Sequence, residues 1–474
     1  LQGPAIGHGV VAAETETRMN RFIILGLLIV AILATRPVSA VEVERVTSPG
    51  GIEAWLVRDA SIPITALEFS FRDAGGASDP KGLAGLSNMA SSLLDEGAGD
   101  LDSQAFQGRL EDHAIHLGFG AGLETMRGSL KTLNRHRDEA VRLLRLALTR
   151  PRFDDDAVAR IRQQIKVGLI KSETDPNSRA GRIWRRAMFA NHPNGRPLSG
   201  TLKTLGALKS DDLRKFAASR LTKDTLVVGA VGDISAADLA TLLDDVFGGL
   251  PQSAAKSTRG STGNNTSIPI ATPRAHGDVF VSEMDIPQSV VLFGQPGLQR
   301  NDPDYYAAYV MNYILGGGGF ASRLYAEVRE KRGLVYSVYS YLNPMKKGPL
   351  ISGGLATRNG QVAEALSLVR AEWAKMRTDG VTGDELKRAR QFLNGAFPLR
   401  LSSTSAIARI LVGMQYDKLG IDYLDRRAAF IDRVDRADIA RVAKRLLDPD
   451  NLTVVIVGQP GPIKPTAKTP DIDG

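Results

Sequence analysis

The strongest constraint on the fold is an internal repeat, because the two halves of the 474-residue chain begin and end alike. Each half ends on an apolar, β-branched run closed by glycine, DTLVVGAVG at 224–232 and DNLTVVIVG at 450–458, an offset of 226 positions. Such runs are typical of buried strands. Near its start, each half has an Asp-Pro pair after a strand-like run, at 79–80 and 302–303, an offset of 223. Nearly equal offsets at both ends predict a duplicated unit of about 200 residues.

The order of elements inside each half indicates the fold class. Strand-like runs lie towards the ends of each half, and long helical patterns lie between them, at 137–149, 156–171, 362–379 and 382–397. Further helical patterns follow the Asp-Pro pairs and precede the closing strands, at 83–94, 305–315, 210–220 and 435–447. Amphipathic helices must bury one face, and a sheet built from the ends of the half supplies that surface. We therefore predict an α+β fold of two homologous halves, each a mostly antiparallel sheet packed by helices.

The boundary between the halves is a segment of different composition. Residues 251–277 are rich in Ser, Thr, Gly, Asn and Pro and show no apolar periodicity. This composition predicts a flexible linker. It separates an N-terminal domain, 41–250, from a C-terminal domain, 278–462, and we expect residues 463–474 to form a flexible tail.

The N-terminal segment has the pattern of an export signal. A basic residue in Met19-Asn20-Arg21 precedes an apolar run of 13 residues, 22–34, and then come Pro37 and a small-x-small end at Ala40. The run is shorter than the roughly 20 residues that a membrane-spanning helix needs. This order predicts a signal peptide cleaved after Ala40, with residues 1–18 as upstream sequence. We expect an exported, periplasmic protein, and an uncleaved anchor is the alternative.

Composition excludes several classes of site. The chain has no cysteine, which rules out disulfides, thiolate metal sites and a cysteine nucleophile, and it has only six histidines. Its net charge is +8, but basic and acidic residues alternate along the chain and aromatic residues make up 6%. Interleaved charge is typical of solvated helix faces, so we expect no nucleic-acid partner.

The most informative segment follows a run of four glycines at 316–319. It reads FASRLYAEVREKRGLVYSVYSYL from 320 to 342. A glycine run ends a helix and lets the chain turn sharply. The spacing then predicts a helix over 322–331, ended by Gly333, and a strand over 334–342. No Gly-Lys-Ser/Thr follows the glycines, so the run does not have the pattern of a phosphate-binding loop.

The segment SRLYAEVREKRGLVYSV resembles the hallmark of the pitrilysin/insulinase-type zinc peptidases, the inverzincins, which include mitochondrial processing peptidase and its two-subunit bacterial relatives. The resemblance covers both halves and implies a clam-like chamber. It also implies that Arg329 and Tyr336 reach into an active site completed by the other half or by a partner. A Tyr hydroxyl suits an oxyanion, and a planar guanidinium suits a substrate carbonyl or carboxylate. Without the resemblance, a solvated Arg329 and a strand-packing Tyr336 would explain the same residues.

The other signature of that family is His-x-x-Glu-His, and here it is lost. Gly-Leu-Ala at 82–84 precedes the positions of the first His, the Glu base and the second His, which are occupied by Gly85, Asn88 and Met89. None of the three suits zinc binding or proton transfer at neutral pH. The segment expected to hold the third ligand, 160–171, contains no carboxylate, and the first acid after it is Glu173. We therefore expect no metal in this chain.

Two closely spaced histidines are candidates for a displaced metal site. His113 and His116 are three positions apart and would share one face of a helix. The neighbouring Ile115 and Leu117 favour packing instead. Three other histidines show no metal-binding pattern: His136, His192 and His276.

These residues lead to three hypotheses of function. The resemblance implies the non-catalytic subunit of a heteromeric zinc metallopeptidase: a homologous partner would hold the zinc and the His-x-x-Glu-His motif, and this chain would supply Arg329 and Tyr336. The alternative is a peptidase-fold protein that binds exported peptides at a sheet edge without hydrolysis. A hydrolase with its own unrelated site is the third, although the chain has no Gly-x-Ser-x-Gly motif.

Overall fold

The computed structural model describes residues 41–253, 268–274 and 276–472. The predicted signal segment, 1–40, and most of the predicted linker lie outside the described residues. Within the described ranges, no helix is both long enough and apolar enough to cross a membrane.

The first half forms a six-stranded sheet in the order β1-β2-β6-β3-β5-β4. Its strands are β1 (Glu44–Thr47), β2 (Glu53–Arg58), β3 (Ile64–Arg72), β4 (His116–Ala121), β5 (Thr125–Leu133) and β6 (Leu226–Gly232). All neighbours are antiparallel except β2 and β6, which run parallel. The closing strand of the half therefore lies inside the sheet, and this position explains its continuous apolar sequence.

The second half forms a five-stranded sheet in the order β7-β11-β8-β10-β9. Its strands are β7 (Val279–Ser282), β8 (Gln288–Pro296), β9 (Val335–Asn343), β10 (Leu350–Arg358) and β11 (Thr453–Val457). Here β7 and β11 are the parallel pair, and the other pairs are antiparallel. Apart from β1, this order repeats that of the first sheet strand for strand. The predicted α+β class and the internal repeat are confirmed.

Helices cover the sheets. In the first half they are α1 (Leu86–Ser91), α2 (Ser103–Asp112), α3 (Arg137–Thr149), α4 (Asp155–Thr174), α5 (Pro176–Met188), α6 (Leu202–Ala207), α7 (Ser210–Arg220) and α8 (Ala236–Phe247). In the second they are α9 (Tyr305–Asn312), α10 (Val362–Asp379), α11 (Gly383–Gly395), α12 (Thr404–Asp417), α13 (Tyr423–Asp432) and α14 (Arg436–Leu446). Each half has its own apolar core, the first around Phe69 and Phe247 and the second around Phe293 and Trp373.

Helix α1 is shorter than the helix predicted over 83–94. Gly85, immediately before it, has a left-handed φ of 94° and delays its start. At the other end, the hydroxyls of Ser91 and Ser92 both donate to the Asn88 carbonyl at 2.9 Å. Such side-chain bonds compete with the helical pattern of backbone bonds, so the helix ends early.

One helix of each half packs against the sheet of the other half. Helix α5 of the first half packs Ala180, Ile183 and Ala187 against Phe280 and the strands of the second sheet. In return, α12 of the second half lies on the first sheet. The approach there is close, because a Cβ on Gly229 would come within 2.5 Å of the Ala408 carbonyl oxygen. The halves are therefore joined by packing as well as by the linker.

Polar contacts reinforce the α12 side of this exchange. The Gln415 amide donates to the Val228 carbonyl at 2.7 Å, and Arg409 pairs with Glu68 at 2.9 Å. Burial raises the pKa of Glu68, while the charges of Arg409 and Arg127 lower it.

Parts of the predicted linker and tail are held against the fold. Ala271 is buried and its N–H donates to the Lys347 carbonyl at 2.7 Å, while His192 contacts the Pro269 carbonyl at 2.8 Å. In the predicted flexible tail, the Thr469 hydroxyl donates to the Val281 carbonyl of β7 at 2.8 Å. Sequence composition misses such ordering because single hydrogen bonds leave no periodic pattern.

Candidate functional site

The glycine run after α9 allows a close contact between a helix end and a strand. The helix continues as a π-helical turn over Tyr313–Gly317. A Cβ on Gly316 would lie 2.8 Å from the backbone nitrogen of Ser340 in β9, so only glycine fits there. Gly319 has a left-handed φ of 55° and reverses the chain. The run therefore positions the following segment directly beside β9.

The segment predicted to be helical over 322–331 contains a π-helical turn, Tyr325–Glu330. Leu324 and Val328, four positions apart, are fully buried and form its inward face. Gly333, with a φ of 62°, ends the turn before β9. The π-helical turn widens the backbone here, and such turns are frequent at functional sites.

Arg323 fixes the segment to α11. Its guanidinium donates to both carboxylate oxygens of Glu385, at 2.7 and 2.9 Å, and to the Gly380 carbonyl at 2.8 Å. Burial raises the pKa of Glu385, but the hydrogen bonds from Arg323 and Thr382 and the charge of Arg323 outweigh burial and lower this pKa to about 2. The segment is held by a charged, bidentate pair.

Arg329 and Tyr336 lie side by side. The Arg329 guanidinium carbon is 5.1 Å from the centroid of the Tyr336 ring, 4.7 Å from that of Tyr325 and 5.8 Å from that of Phe320. Arg329 also donates a hydrogen bond to the Tyr325 hydroxyl. Three aromatic rings thus surround one guanidinium, an arrangement that orients it through cation–π attraction.

A β-bulge turns Tyr336 outward. Val335 is paired with Thr357 and Val338 with Leu355, so that two residues of β9, Tyr336 and Ser337, oppose one residue of β10. Bulges re-aim a side chain relative to the strand. Tyr336 is 83% exposed, so its ring does not pack in the sheet.

The exposed aromatic surface extends beyond the two predicted residues. Phe320 is 76% exposed, and Tyr339 and Tyr341 on β9 are stacked with their centroids 6.1 Å apart. Strand β9 is at the edge of its sheet, with β10 as its one neighbour. We missed these residues in the sequence, although the alternation Tyr339-x-Tyr341 within the predicted strand was a usable signal.

The positions that the zinc motif would occupy are filled by packed backbone. A Cβ on Gly85 would lie 2.9 Å from both the Gly200 nitrogen and the Ser199 carbonyl oxygen, so no imidazole fits there. Met89 is wholly buried in the first core. Only Asn88, the position of the base, is partly accessible.

A buried carboxylate organises this region. Asp79 accepts hydrogen bonds from the backbone nitrogens of Gly85, at 2.9 Å, and Ser87, at 3.0 Å. Arg196 donates to its carbonyl at 2.7 Å and so brings in the loop that ends at Gly200. Burial raises the pKa of Asp79 to about 6, against the lowering effect of these backbone bonds.

The segment expected to carry the third zinc ligand has a structural role instead. Arg160 of α4 donates to both carboxylate oxygens of Glu96, at 2.6 and 3.3 Å. Glu173 lies exposed near the end of the same helix. Over the ranges that the structure describes, no three His, Asp or Glu side chains are grouped to hold a metal ion. The zinc site of the family does not fit this chain.

The two histidines of the possible displaced metal site lie on different elements. His113 follows the end of α2 and His116 begins β4, so the two residues do not share a helix face. The His113 ring instead meets the His136 ring edge-on at 5.0 Å. His113 contacts the Arg109 carbonyl at 3.0 Å, and His136 accepts from Arg135 at 3.0 Å.

Comparison with known proteins agrees with this geometry. Residues 207–393 match the family model described as the peptidase M16 inactive domain. Over this range, the chain is similar to the peptidase M16 family. The matched range contains residues 322–338, on which the resemblance rests.

Two curated proteins and one crystal structure are similar to this chain. It is 28% identical over 397 residues to a non-peptidase homolog, YmxG, of Helicobacter pylori, covering 84% of this chain and 89% of that protein. It is 32% identical over 279 residues to an uncharacterized zinc protease of Streptomyces coelicolor, covering 58% of this chain and 59% of that protein. The crystal structure of a peptidase M16 inactive domain from Pseudomonas fluorescens superimposes with a TM-score of 0.81 at 27% identity, covering 90% of this chain and 99% of that one. The chain thus has the fold of the peptidase M16 inactive domain.

Proposed function

We propose that this chain is the non-catalytic subunit of an exported, periplasmic, heteromeric zinc metallopeptidase, whose homologous partner holds the zinc. One contrast supports the proposal. The position of the first zinc ligand is closed by backbone at Gly85, whereas Arg329 is oriented by aromatic rings and its neighbour Tyr336 is open to solvent.

In this proposal the two side chains act on a peptide held between the subunits. The Tyr336 hydroxyl projects from a bulge and donates a hydrogen bond to the oxyanion that forms when water attacks the peptide carbonyl. Arg329 binds a neighbouring substrate carbonyl through donors that its aromatic surroundings keep in a fixed orientation. Water activation belongs to the partner, because Asn88 cannot take a proton at neutral pH.

The decisive experiment is purification of the exported chain with its bound protein, followed by zinc analysis and peptide cleavage. We expect a homologous His-x-x-Glu-His partner and one zinc per complex. In the complex, Tyr336→Phe should lower kcat about 100-fold and leave KM within about threefold, since loss of one oxyanion donor has that effect. Tyr339→Phe, on the same strand, is the matched control and should retain turnover.

Two results would contradict the proposal. One is a chain that purifies alone and without metal from its native source. The other is a Tyr336→Phe complex whose turnover equals that of the wild type.

A second candidate function is peptide binding without hydrolysis. The observation that favours it is the edge position of β9, together with the exposed rings of Tyr336, Tyr339 and Tyr341. An extended peptide can add to such an edge as a further strand. Saturable binding of unfolded peptides by the chain without any zinc-bearing partner would favour this function over the first.

A further inference from the structure

A second feature lies at the junction of the two halves, away from the Arg329–Tyr336 surface. It is a cavity of about 600 Å³. Its walls come from β1, β2 and the start of β6 in the first half, and from the end of α12 with Gly420 in the second half. This volume falls within the range of about 300–1,000 Å³ typical of ligand pockets.

The charge of the cavity is strongly one-sided. Four cations line it, Arg45, Arg72, Lys223 and Lys418, and Glu53 is its one carboxylate among the lining residues that the structure describes. Glu53 is already engaged, at 3.6 Å from Arg45 and by the indole nitrogen of Trp55 at 3.0 Å. The lining therefore has a net charge of three positive units.

Arg45 is paired with Glu53. Arg72, Lys223 and Lys418 have no ion-pair partner among the described residues. Arg72 donates to the Asp224 carbonyl at 2.7 Å, and Lys223 donates to the Gly248 carbonyl at 3.2 Å. These acceptors are neutral, so the positive charge is not compensated. Lys418 is exposed at the end of α12.

Two carboxylates beside the lining accept hydrogen bonds from other groups. Asp224 accepts from the Thr222 hydroxyl at 2.5 Å. Asp244 accepts from the Ser48 hydroxyl at 2.5 Å and from the Gly50 nitrogen at 3.0 Å. Neither carboxylate lines the cavity.

A second cavity between the halves shows what a compensated lining looks like. It measures about 400 Å³ and contains Glu68, Glu124 and Asp417 beside Arg127 and Arg409. There, Glu68 pairs with Arg409 at 2.9 Å, and Asp417 pairs with a nearby lysine at 2.8 Å. Excess positive charge thus distinguishes the larger of these two cavities from the smaller one.

We propose that the larger cavity binds a small polyanion that carries phosphate or carboxylate groups. A recess lined by one sign of charge concentrates ions of the opposite sign, and guanidinium and ammonium groups bind these oxyanions well. Because Lys418 belongs to the second half and Arg72 and Lys223 belong to the first, the ligand connects the two halves. Binding therefore stabilises the chain against unfolding.

The test uses the full chain with two probes, inorganic tripolyphosphate and citrate, in titration calorimetry and thermal unfolding. We expect saturable binding and a rise in the unfolding midpoint. Lys223→Gln with Lys418→Gln should weaken binding by about tenfold or more, because two ionic contacts are lost. The control pair, Lys387→Gln with Lys444→Gln, removes the same charge from exposed helical positions and should change the affinity less than about twofold.

Lys418→Gln alone is the safer variant, because Lys223 also supports the Gly248 carbonyl. Tighter binding of tripolyphosphate identifies a phosphate ligand, and tighter binding of citrate identifies a carboxylate ligand. Either result supports the site. No saturable binding of either probe at millimolar concentration, or equal weakening in the control pair, overturns it.

Discussion

Two glycines with a left-handed backbone conformation, one in each half, show that the motif positions of the two halves differ in packing. Gly85 and Gly319 have φ values of 94° and 55°. Backbone atoms of the loop at Gly200 crowd the position of a Cβ on Gly85, whereas nothing lies within 4 Å of a Cβ on Gly319. In the first half, packed backbone thus occupies the position expected for a zinc ligand. The second half keeps space around the segment that presents Arg329 and Tyr336.

The largest expected effect comes from adding a side chain at the closed position. Gly85→Ala combines a left-handed φ with a 2.9 Å contact to backbone, and should cost about 3 kcal/mol of unfolding free energy. Gly82→Ala is the matched control, because its φ is 88° and nothing lies within 4 Å. It should cost about 1 kcal/mol. Chemical denaturation measures both, and equal costs would show that the backbone contact is unimportant.

The same comparison predicts that restoring the motif fails. The triple substitution Gly85→His, Asn88→Glu, Met89→His places an imidazole against the Gly200 backbone and a second imidazole in the apolar core. We expect a destabilised protein without stoichiometric zinc, measured by metal analysis after dialysis. A folded variant that retains one zinc per chain would show that the region can open.

A smaller loss is expected when the open segment is released from α11. Arg323→Gln removes a bidentate pair whose side chains are only 18% and 20% exposed, and should lower the unfolding free energy by about 2 kcal/mol. Lys215→Gln is the control, because its pair with Asp211 is solvent-exposed. It should change stability far less. Similar losses in the two variants would mean that Arg323 does not fix the segment.

The carboxylates of the two regions should respond to pH in opposite directions. The pKa of Glu385 is lowered to about 2, so its stabilising contribution is complete above its unfolded value of 4.5 and is lost as pH falls towards 2. The pKa of Asp79 is raised to about 6, so its contribution is complete below 3.8 and declines as pH rises through 6. NMR titration of the two carboxyl carbons measures both values. If both carboxyl groups titrate near pH 4, the two regions do not differ in their response to pH.

Much of the fold could be predicted because it follows from periodic patterns. The helices over 137–149, 210–220 and 362–379 have the bounds that the apolar spacing predicts. The exchange of α5 and α12 between the halves could not be predicted, because it depends on single close approaches such as Gly229 to Ala408. An amphipathic pattern shows that a face is buried and does not show against which sheet.

The candidate site was predictable to the same extent. The motif predicted Arg329 and Tyr336 as site residues, but the exposure of Tyr336 depends on the bulge opposite Leu355 and Thr357. A bulge is a matter of register between two strands, and register is set by partners that the motif does not contain. The closure at Gly85 depends likewise on Gly200, which is 115 positions away in the sequence.

The smallest effect on stability is expected at the open site itself. Tyr336→Ala removes a ring that is 83% exposed, so the unfolding free energy should change by less than about 0.5 kcal/mol. The ring still contacts Arg329, and an exposed cation–π contact contributes little because water competes for the cation. Denaturation of Tyr336→Ala alongside Phe293→Ala, which removes a fully buried ring, measures the difference. A large loss of unfolding free energy in Tyr336→Ala would show that the ring supports the fold. Its exposure would then have a structural reason, and the proposed role in binding a partner's substrate would be weakened.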